Sequence, residues 1–405
     1  MVRDALLGSA PHHEETGRGA VPADGDKDAP YVARALLGIQ RIRSAARRLR
    51  DVREPPRPAS FIHHGPVTMI SARTHGSRQM KMFAKIGAVV AALLAWGLSG
   101  APAVAQDKVK VGVFPISSSL PYFVAIEKGY FKSRNIEPET ITLMGGPANV
   151  AALITNQIEV SAVLVTLEGL NANVKKPGVA MYVAMHSQTP DYKMEQFVIR
   201  TGLVDKVKEL KDLKGLKLMS APGPANLNTA KGVLAKVGLK DGDYTIDQLD
   251  MGQHVNAMKA GTFDGGYTLE PGATIMEKMG VAKRLEAGVI STYILGNPKA
   301  DAFAAGCAFT TDFITKRPDV AKRFADGWAE AVAYIKANPT EARKYLAKNT
   351  MTPDNVVDEV PMLGYTMTKD MTPEQLGWLQ QFADFGTAIG VVPEKVDIKK
   401  MVKSF

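Results

Sequence analysis

The tetrapeptide Gly-Pro-Ala-Asn occurs twice in this chain, as Gly146-Pro147-Ala148-Asn149 and Gly223-Pro224-Ala225-Asn226, and Thr-Leu-Glu follows each copy, at 166–168 and 268–270. Both tetrapeptides come after a strand-like run ending in Leu-Met, Leu143-Met144 and Leu218-Met219, and both open an apolar-periodic stretch. Each therefore reads as a strand, a glycine turn and a helix start. Proline suits the first helical turn, where its missing N–H would have had no partner. A helix start offers free N–H groups and a positive dipole end to a ligand. Two such units imply two similar α/β lobes facing one cleft. Chance repetition of common residues is the alternative reading of the tetrapeptide alone.

The functional chain is expected to start well inside the sequence. Met80-Lys81-Met82-Phe83-Ala84-Lys85 is a basic segment, Ile86 to Gly97 is uncharged and apolar, and Ala103-Val104-Ala105 is a small-x-small cleavage site before Gln106. Residues 80–105 thus read as a secretory signal, with an apolar run too short to span a bilayer. Residues 1–79, rich in Arg, Pro and His, read as a start assigned too far upstream or as a disordered extension. The net charge of +9 belongs mostly to this leader. Its first 105 residues hold 15 of the 50 Lys+Arg and 8 of the 41 Asp+Glu, which leaves 35 against 33 in the remainder. A balance of +2 is no footprint for nucleic acid. With a single cysteine, Cys307, the chain can form no internal disulfide.

Past the signal, strand-like runs alternate with helical ones. Strands are predicted at Val109–Phe114, Glu139–Leu143, Val160–Val165, Val179–Met185, Gln196–Ile199, Gly215–Met219, Thr262–Tyr267 and Phe303–Thr310. Helices are predicted from Leu120, Pro147 and Pro224, and the last hundred residues are helical. This βαβα order predicts an α/β fold of two lobes, each a mainly parallel sheet with flanking helices. The first lobe is expected at 107–199 plus 300–405 and the second at 200–299. Thr372-Pro373-Glu374-Gln375 has the form of a capping box.

Several phrases resemble the nitrate/sulfonate/taurine-type substrate-binding proteins of ABC transporters, relatives of the thiamine-pyrimidine synthase fold. The match is carried by Ala125-Ile126-Glu127-Lys128-Gly129-Tyr130-Phe131 with Asn135-Ile136-Glu137, by Asn156-Gln157-Ile158-Glu159 and Gly261-Thr262-Phe263-Asp264, and by Leu213-Lys214-Gly215. Glu270-Pro271, Lys316-Arg317-Pro318-Asp319 and Asn338-Pro339 continue it in order. Asn156 and Glu159 depart from the family's usual Gly and Asp. The resemblance implies a periplasmic-binding-protein fold with two lobes that close on a small ligand.

In open α/β sheets the ligand lies at the carboxyl ends of the strands. Five segments belong there: 115–122, 145–149, 166–168, 221–226 and 268–270. The expected ligand-binding residues are Ser117, Ser118, Ser119, Tyr122, Gly146, Asn149, Thr166, Gly223, Asn226, Tyr267 and Glu270. Each also has a plainer role, as turn serines, solvent-facing asparagines, core aromatics or a hinge carboxylate. The roles of Glu168 and Glu270 stay open. No Lys or Arg lies in these segments, so an anion would rest on N–H dipoles and hydroxyls.

His186 and His254 stand far apart, and no His/Cys/Asp/Glu group has metal-ligand spacing. No catalytic residue, metal or cofactor is therefore expected. The expected function is a periplasmic solute-binding component of an ABC importer, a monomer that captures a small anion and meets a membrane permease, with no nucleic-acid partner. The alternatives are a binder of an aromatic carboxylate or a thiamine-pyrimidine precursor, or a synthase-like enzyme. The synthases that the resemblance brings in use a cysteine-rich segment and histidines with iron, whereas the chain past residue 105 has one Cys and two His.

Overall fold

The computed structural model describes residues 105–405; the extension at 1–79 and the signal segment through residue 104 lie outside the described residues. In β1 (Asp107–Val113), Val109, Val111 and Val113 are buried while Lys108 and Lys110 are exposed, so alternation drives one face into the core. Helix α1 (Leu120–Glu127) leads to β2 (Ile136–Thr142), α2 (Gly146–Ile154) to β3 (Val160–Val165), and α3 (Thr166–Lys175) to β4 (Met181–Gln188). β1 pairs in parallel with β2 and β3, as crossover helices require.

The chain then leaves the first sheet. The second sheet contains β5 (Glu195–Arg200), β6 (Lys217–Ser220), β7 (Thr245–Gln248), β8 (Gly265–Leu269) and β9 (Ala282–Ala287), in the order β7-β6-β8-β5-β9. Its helices are α4 (Pro224–Lys236), α5 (Met251–Lys259) and α6 (Gly272–Lys278). β10 (Ala302–Phe309) returns to the first sheet between β3 and β4, antiparallel to both. After α7 (Thr311–Lys316), α8 (Pro318–Ala337), α9 (Pro339–Arg343) and α10 (Tyr345–Asn349), β11 (Gly364–Met367) completes the order β11-β4-β10-β3-β1-β2. The last long helix is α11 (Pro373–Ala388).

Each sheet is therefore mixed: parallel where helices cross over, antiparallel where the chain passes between sheets. The predicted boundary at 199 needs correction, because β5 pairs with β8 and β9 in the second sheet. Periodicity identifies a strand at 196–199 but carries no information on which sheet supplies its hydrogen-bond partners. The strands missed from sequence, β7, β9 and β11, sit at sheet edges. Two of them, Thr-Ile-Asp-Gln and Ala-Lys-Arg-Leu-Glu-Ala, are polar, as edges often are.

One apolar stripe of α8, made of Val320, Phe324, Trp328, Val332 and Ile335, is buried. The capping box at Thr372 forms with both bonds: Gln375 N–H donates to Thr372 Oγ1 at 3.1 Å and Thr372 N–H to Gln375 Oε1 at 3.0 Å. α11 packs on both sheets' helices. Gly386 lies against Leu167 of α3, while Phe385 and Ile389 lie against Gly232 of α4. Cys307 is fully buried in β10, where it serves as a small apolar group.

His186 of β4 lies in the first core, ring-parallel to Trp328 at 6.3 Å and edge-on to Tyr365 at 5.2 Å. It is fully buried and neither ring nitrogen has a hydrogen-bond partner. Burial alone lowers its pKa from 6.5 to about 3. Its folded pKa lies below its unfolded one, so stability is whole above about pH 6.5 and is lost as pH falls toward 3. Urea unfolding at pH 7 and pH 4.5 should differ by roughly 2–3 kcal/mol from this group. His186→Gln should shrink that difference. An unchanged difference in the variant would place the acid sensitivity elsewhere.

Candidate functional site

The carboxyl ends of strands from both sheets meet. After β1, Ser117 N–H donates to the Glu270 carbonyl at 3.3 Å, which joins the serine loop to the end of β8. After β2 and β6, the two Gly-Pro-Ala-Asn turns touch. A Cβ on Gly145 would stand 3.3 Å from Pro222 Cγ, and one on Gly223 would stand 3.1 Å from Pro147 Cδ. Gly145 and Gly223 have φ of 90° and 102°, a region that glycine alone enters freely. Both turns are closed in one way. Asn149 Nδ2 donates to the Gly145 carbonyl at 3.0 Å, and Asn226 Nδ2 to the Pro222 carbonyl at 2.7 Å. Each asparagine thus bonds the carbonyl four residues back, and the duplicated tetrapeptide is a turn-closing device at a helix start.

Glu168 lies where these helix starts meet. It sits in the first turn of α3, only 4% exposed, and no side-chain donor reaches either carboxylate oxygen. A Cβ at Gly146 would overlap Oε2, and one at Gly223 would overlap Oε1. One buried carboxyl is therefore wedged between the N-termini of α2 and α4. Burial raises its pKa from 4.5 to about 8, while the Ala225 N–H at the start of α4 acts in the opposite direction.

The second Thr-Leu-Glu is treated differently. Glu270 is fully buried, yet Oε1 pairs with Arg284 Nη2 at 2.5 Å. Its Oε2 accepts from Thr274 Oγ1 at 2.8 Å and from Thr274 N–H at 3.2 Å. Burial still raises its pKa, against the pull of Arg284 and Thr274. Arg284 also holds Glu277, at 2.7 Å. Thr268 Oγ1 lies 2.9 Å from His254 Nδ1, and His254 Nε2 lies 3.0 Å from the Leu249 carbonyl. A carbonyl only accepts, so Nε2 carries the proton and Nδ1 accepts from Thr268.

Other expected site residues are turned inward. Tyr122 offers no face to the cleft: its hydroxyl shares a 2.6 Å bond with Thr140, and its ring packs on Phe131 and Trp328. Thr166 Oγ1 donates to the Phe303 carbonyl at 2.7 Å, which ties α3 to β10. Asn149 Oδ1 accepts from Ser161 Oγ at 2.8 Å, so its amide is spent on the fold. Tyr267 is fully buried and its hydroxyl bonds Glu195. Ser119 Oγ donates to the Phe114 carbonyl at 2.5 Å. Ser118 is buried beside it, and Ser117 Oγ is buried without a partner.

Sequence reasoning passed over the residues where the chain changes sheets. Glu195, at the start of β5, accepts from Gln188 Nε2 at 3.1 Å. Burial raises its pKa despite that bond and the one from Tyr267. Gln188 Oε1 and Gln196 Oε1 are buried without partners. Nothing local marks these residues, since their partners come from other elements. Among the described residues, no group of three or more His, Cys, Asp or Glu is placed to hold a metal, and no helix is long and apolar enough to cross a membrane.

The model of the NMT1-like family matches residues 103–351. A Bacillus subtilis protein provisionally named as aliphatic sulfonates-binding is 23% identical over 334 residues, covering 78% of this chain and 92% of its own. The alkanesulfonate-binding protein SsuA of Xanthomonas axonopodis, bound to MOPS, has a TM-score of 0.60 at 19% identity, over 75% of this chain and 100% of that one. The periplasmic nitrate-binding protein NrtA of Synechocystis has a TM-score of 0.60 at 15% identity, over 74% and 86%. These neighbours have the periplasmic-binding-protein fold that the two lobes of this chain adopt.

Removing one partner of a buried ion pair leaves the other charge uncompensated. Arg284→Met should therefore cost about 3–5 kcal/mol in denaturant unfolding, and adding Glu270→Gln should restore most of it. A loss below about 1 kcal/mol in the single variant would show that Glu270 is already neutral beside Arg284.

Proposed function

The chain belongs to the NMT1-like family, and on that footing we propose that it is the solute-binding component of an ABC importer. It captures a small anion, of the sulfonate or nitrate kind, between its lobes and delivers it to a membrane permease. The observation that carries this reading is the meeting of two helix N-termini, one from each lobe, at one buried point. Each brings a positive dipole end to that point. A solute held by both lobes binds the closed arrangement better and draws the population toward it. The printed names of the relatives, sulfonate- and nitrate-binding, agree with this chemistry. The signal-like segment read at 80–105 and the periplasmic neighbours support a periplasmic location. A monomer suffices, because both walls of the cleft come from one chain. The reading is of a binder and not an enzyme: the one hydroxyl–imidazole pair described, Thr268 with His254, is buried and its imidazole is tied back to the Leu249 carbonyl.

A thermal-shift screen of nitrate, alkanesulfonates, aromatic carboxylates and pyrimidines tests this. At a hundredfold excess over Kd, the cognate anion should add about 2.7 kcal/mol and raise Tm by several degrees. Stabilisation by a neutral pyrimidine, with none by any anion, would contradict the reading.

A further inference from the structure

A buried carboxyl at the point where an anion is expected poses an electrostatic problem. Two like charges a few ångströms apart in a dry site repel strongly. The segments against Glu168 bring no compensating charge, since 145–149 and 222–226 hold no ionisable side chain. The titratable group coupled to it is Tyr182 of β4, whose hydroxyl donates to the Val165 and Thr166 carbonyls at 3.2 Å. Burial holds that phenol well above its usual range, so it stays neutral wherever a carboxyl titrates. Arg284, the basic side chain near the other Thr-Leu-Glu, is spent on Glu270 and Glu277. An anion between the two helix starts therefore finds dipoles but no cation.

We propose that Glu168 is the proton-carrying specificity residue of the cleft: in the loaded protein its carboxyl is protonated and donates its O–H to an oxygen of the bound anion. Both its oxygens are buried between Gly146 and Gly223, and the one group that bears on them, the Ala225 N–H, is a donor, so the hydroxyl has no competing acceptor there. The two glycines leave the carboxyl the space that a Cβ would otherwise take. Anion capture is thus linked to one proton at Glu168, bound from solvent when the free protein has lost it. The inference rests on the anion-binding reading above and adds the partner that reading lacks. The group's raised pKa of about 8 is the behaviour expected of a carboxylic acid kept neutral by its surroundings so that it can donate.

The sign of the linkage follows. Below the carboxyl's pKa, Glu168 is protonated with or without anion, and affinity does not change with pH. Above it, the proton must be recovered on binding, and affinity falls up to tenfold per pH unit. Titration calorimetry with nitrate and methanesulfonate from pH 6 to pH 10, in buffers of different protonation enthalpy, reads both effects. The wild type should show proton uptake rising from near zero toward one across this range, with affinity falling in step. Glu168→Gln keeps a neutral donor of the same shape, so it should bind with affinity flat in pH and exceed the wild type at pH 10.

Wild-type affinity flat in pH without proton uptake would overturn the proposal while leaving the anion reading standing. So would a folded Glu168→Gln protein that binds neither anion although the wild type does. Affinity rising with pH would also overturn it, because an anion would then bind better beside the deprotonated carboxylate. Binding of neither anion by either protein would overturn both this inference and the anion reading.

Discussion

A side chain at Gly146 or Gly223 would displace the carboxyl of Glu168, which fills the space where a Cβ would go. Much of the site's arrangement depends on that exclusion. The two helix starts approach each other only because both turns are glycine at the contact and proline beside it. Each turn is then locked by its own asparagine, through the bonds from Asn149 to Gly145 and from Asn226 to Pro222. The two Gly-Pro-Ala-Asn corners therefore meet through backbone and proline rings. That geometry suits a cleft that closes on a small solute, because rigid donors lose little entropy when a ligand arrives.

The three glutamates buried among the described residues show how one residue type is put to different uses. Glu270 is compensated by Arg284 and Thr274 and holds the end of β8 to β9 and α6. Glu195 is bonded by neutral groups, Tyr267 and Gln188, where the chain crosses between sheets. Glu168 has neither arrangement. A fold can carry an unpaired buried carboxyl only at a cost of some kcal/mol, or by keeping it protonated. Such groups cluster at functional positions.

Most of the architecture was legible from periodicity. The alternation of Val109, Val111 and Val113, the buried run at β3 and the stripe of α8 each mark an element by itself. Sheet membership was not legible, which is why β5 was placed in the wrong lobe. The edge strands were also missed, because a polar run such as Ala282–Ala287 owes its strand form to its neighbour β5. The repeated motifs meet in space, but the sequence did not show what each side chain does there. Asn149, Thr166 and Tyr122 are polar or aromatic residues at strand ends, and their partners Ser161, Phe303 and Thr140 take up their bonding capacity. Glu168 was visible as an acid within an apolar run. Its lack of a partner was not, since the cation that neutralises Glu270 comes from an edge strand fourteen residues further on.

The central claim is that the Gly-Pro-Ala-Asn corners of the two lobes are drawn together over a bound solute. Spin labels at Ala151→Cys on α2 and Lys236→Cys on α4, both exposed positions, in a Cys307→Ala background, would report the separation of the lobes directly by pulsed dipolar spectroscopy. The account predicts that a saturating anion shortens and narrows the distance distribution relative to the solute-free protein. Identical distributions with and without a solute that demonstrably binds would contradict it.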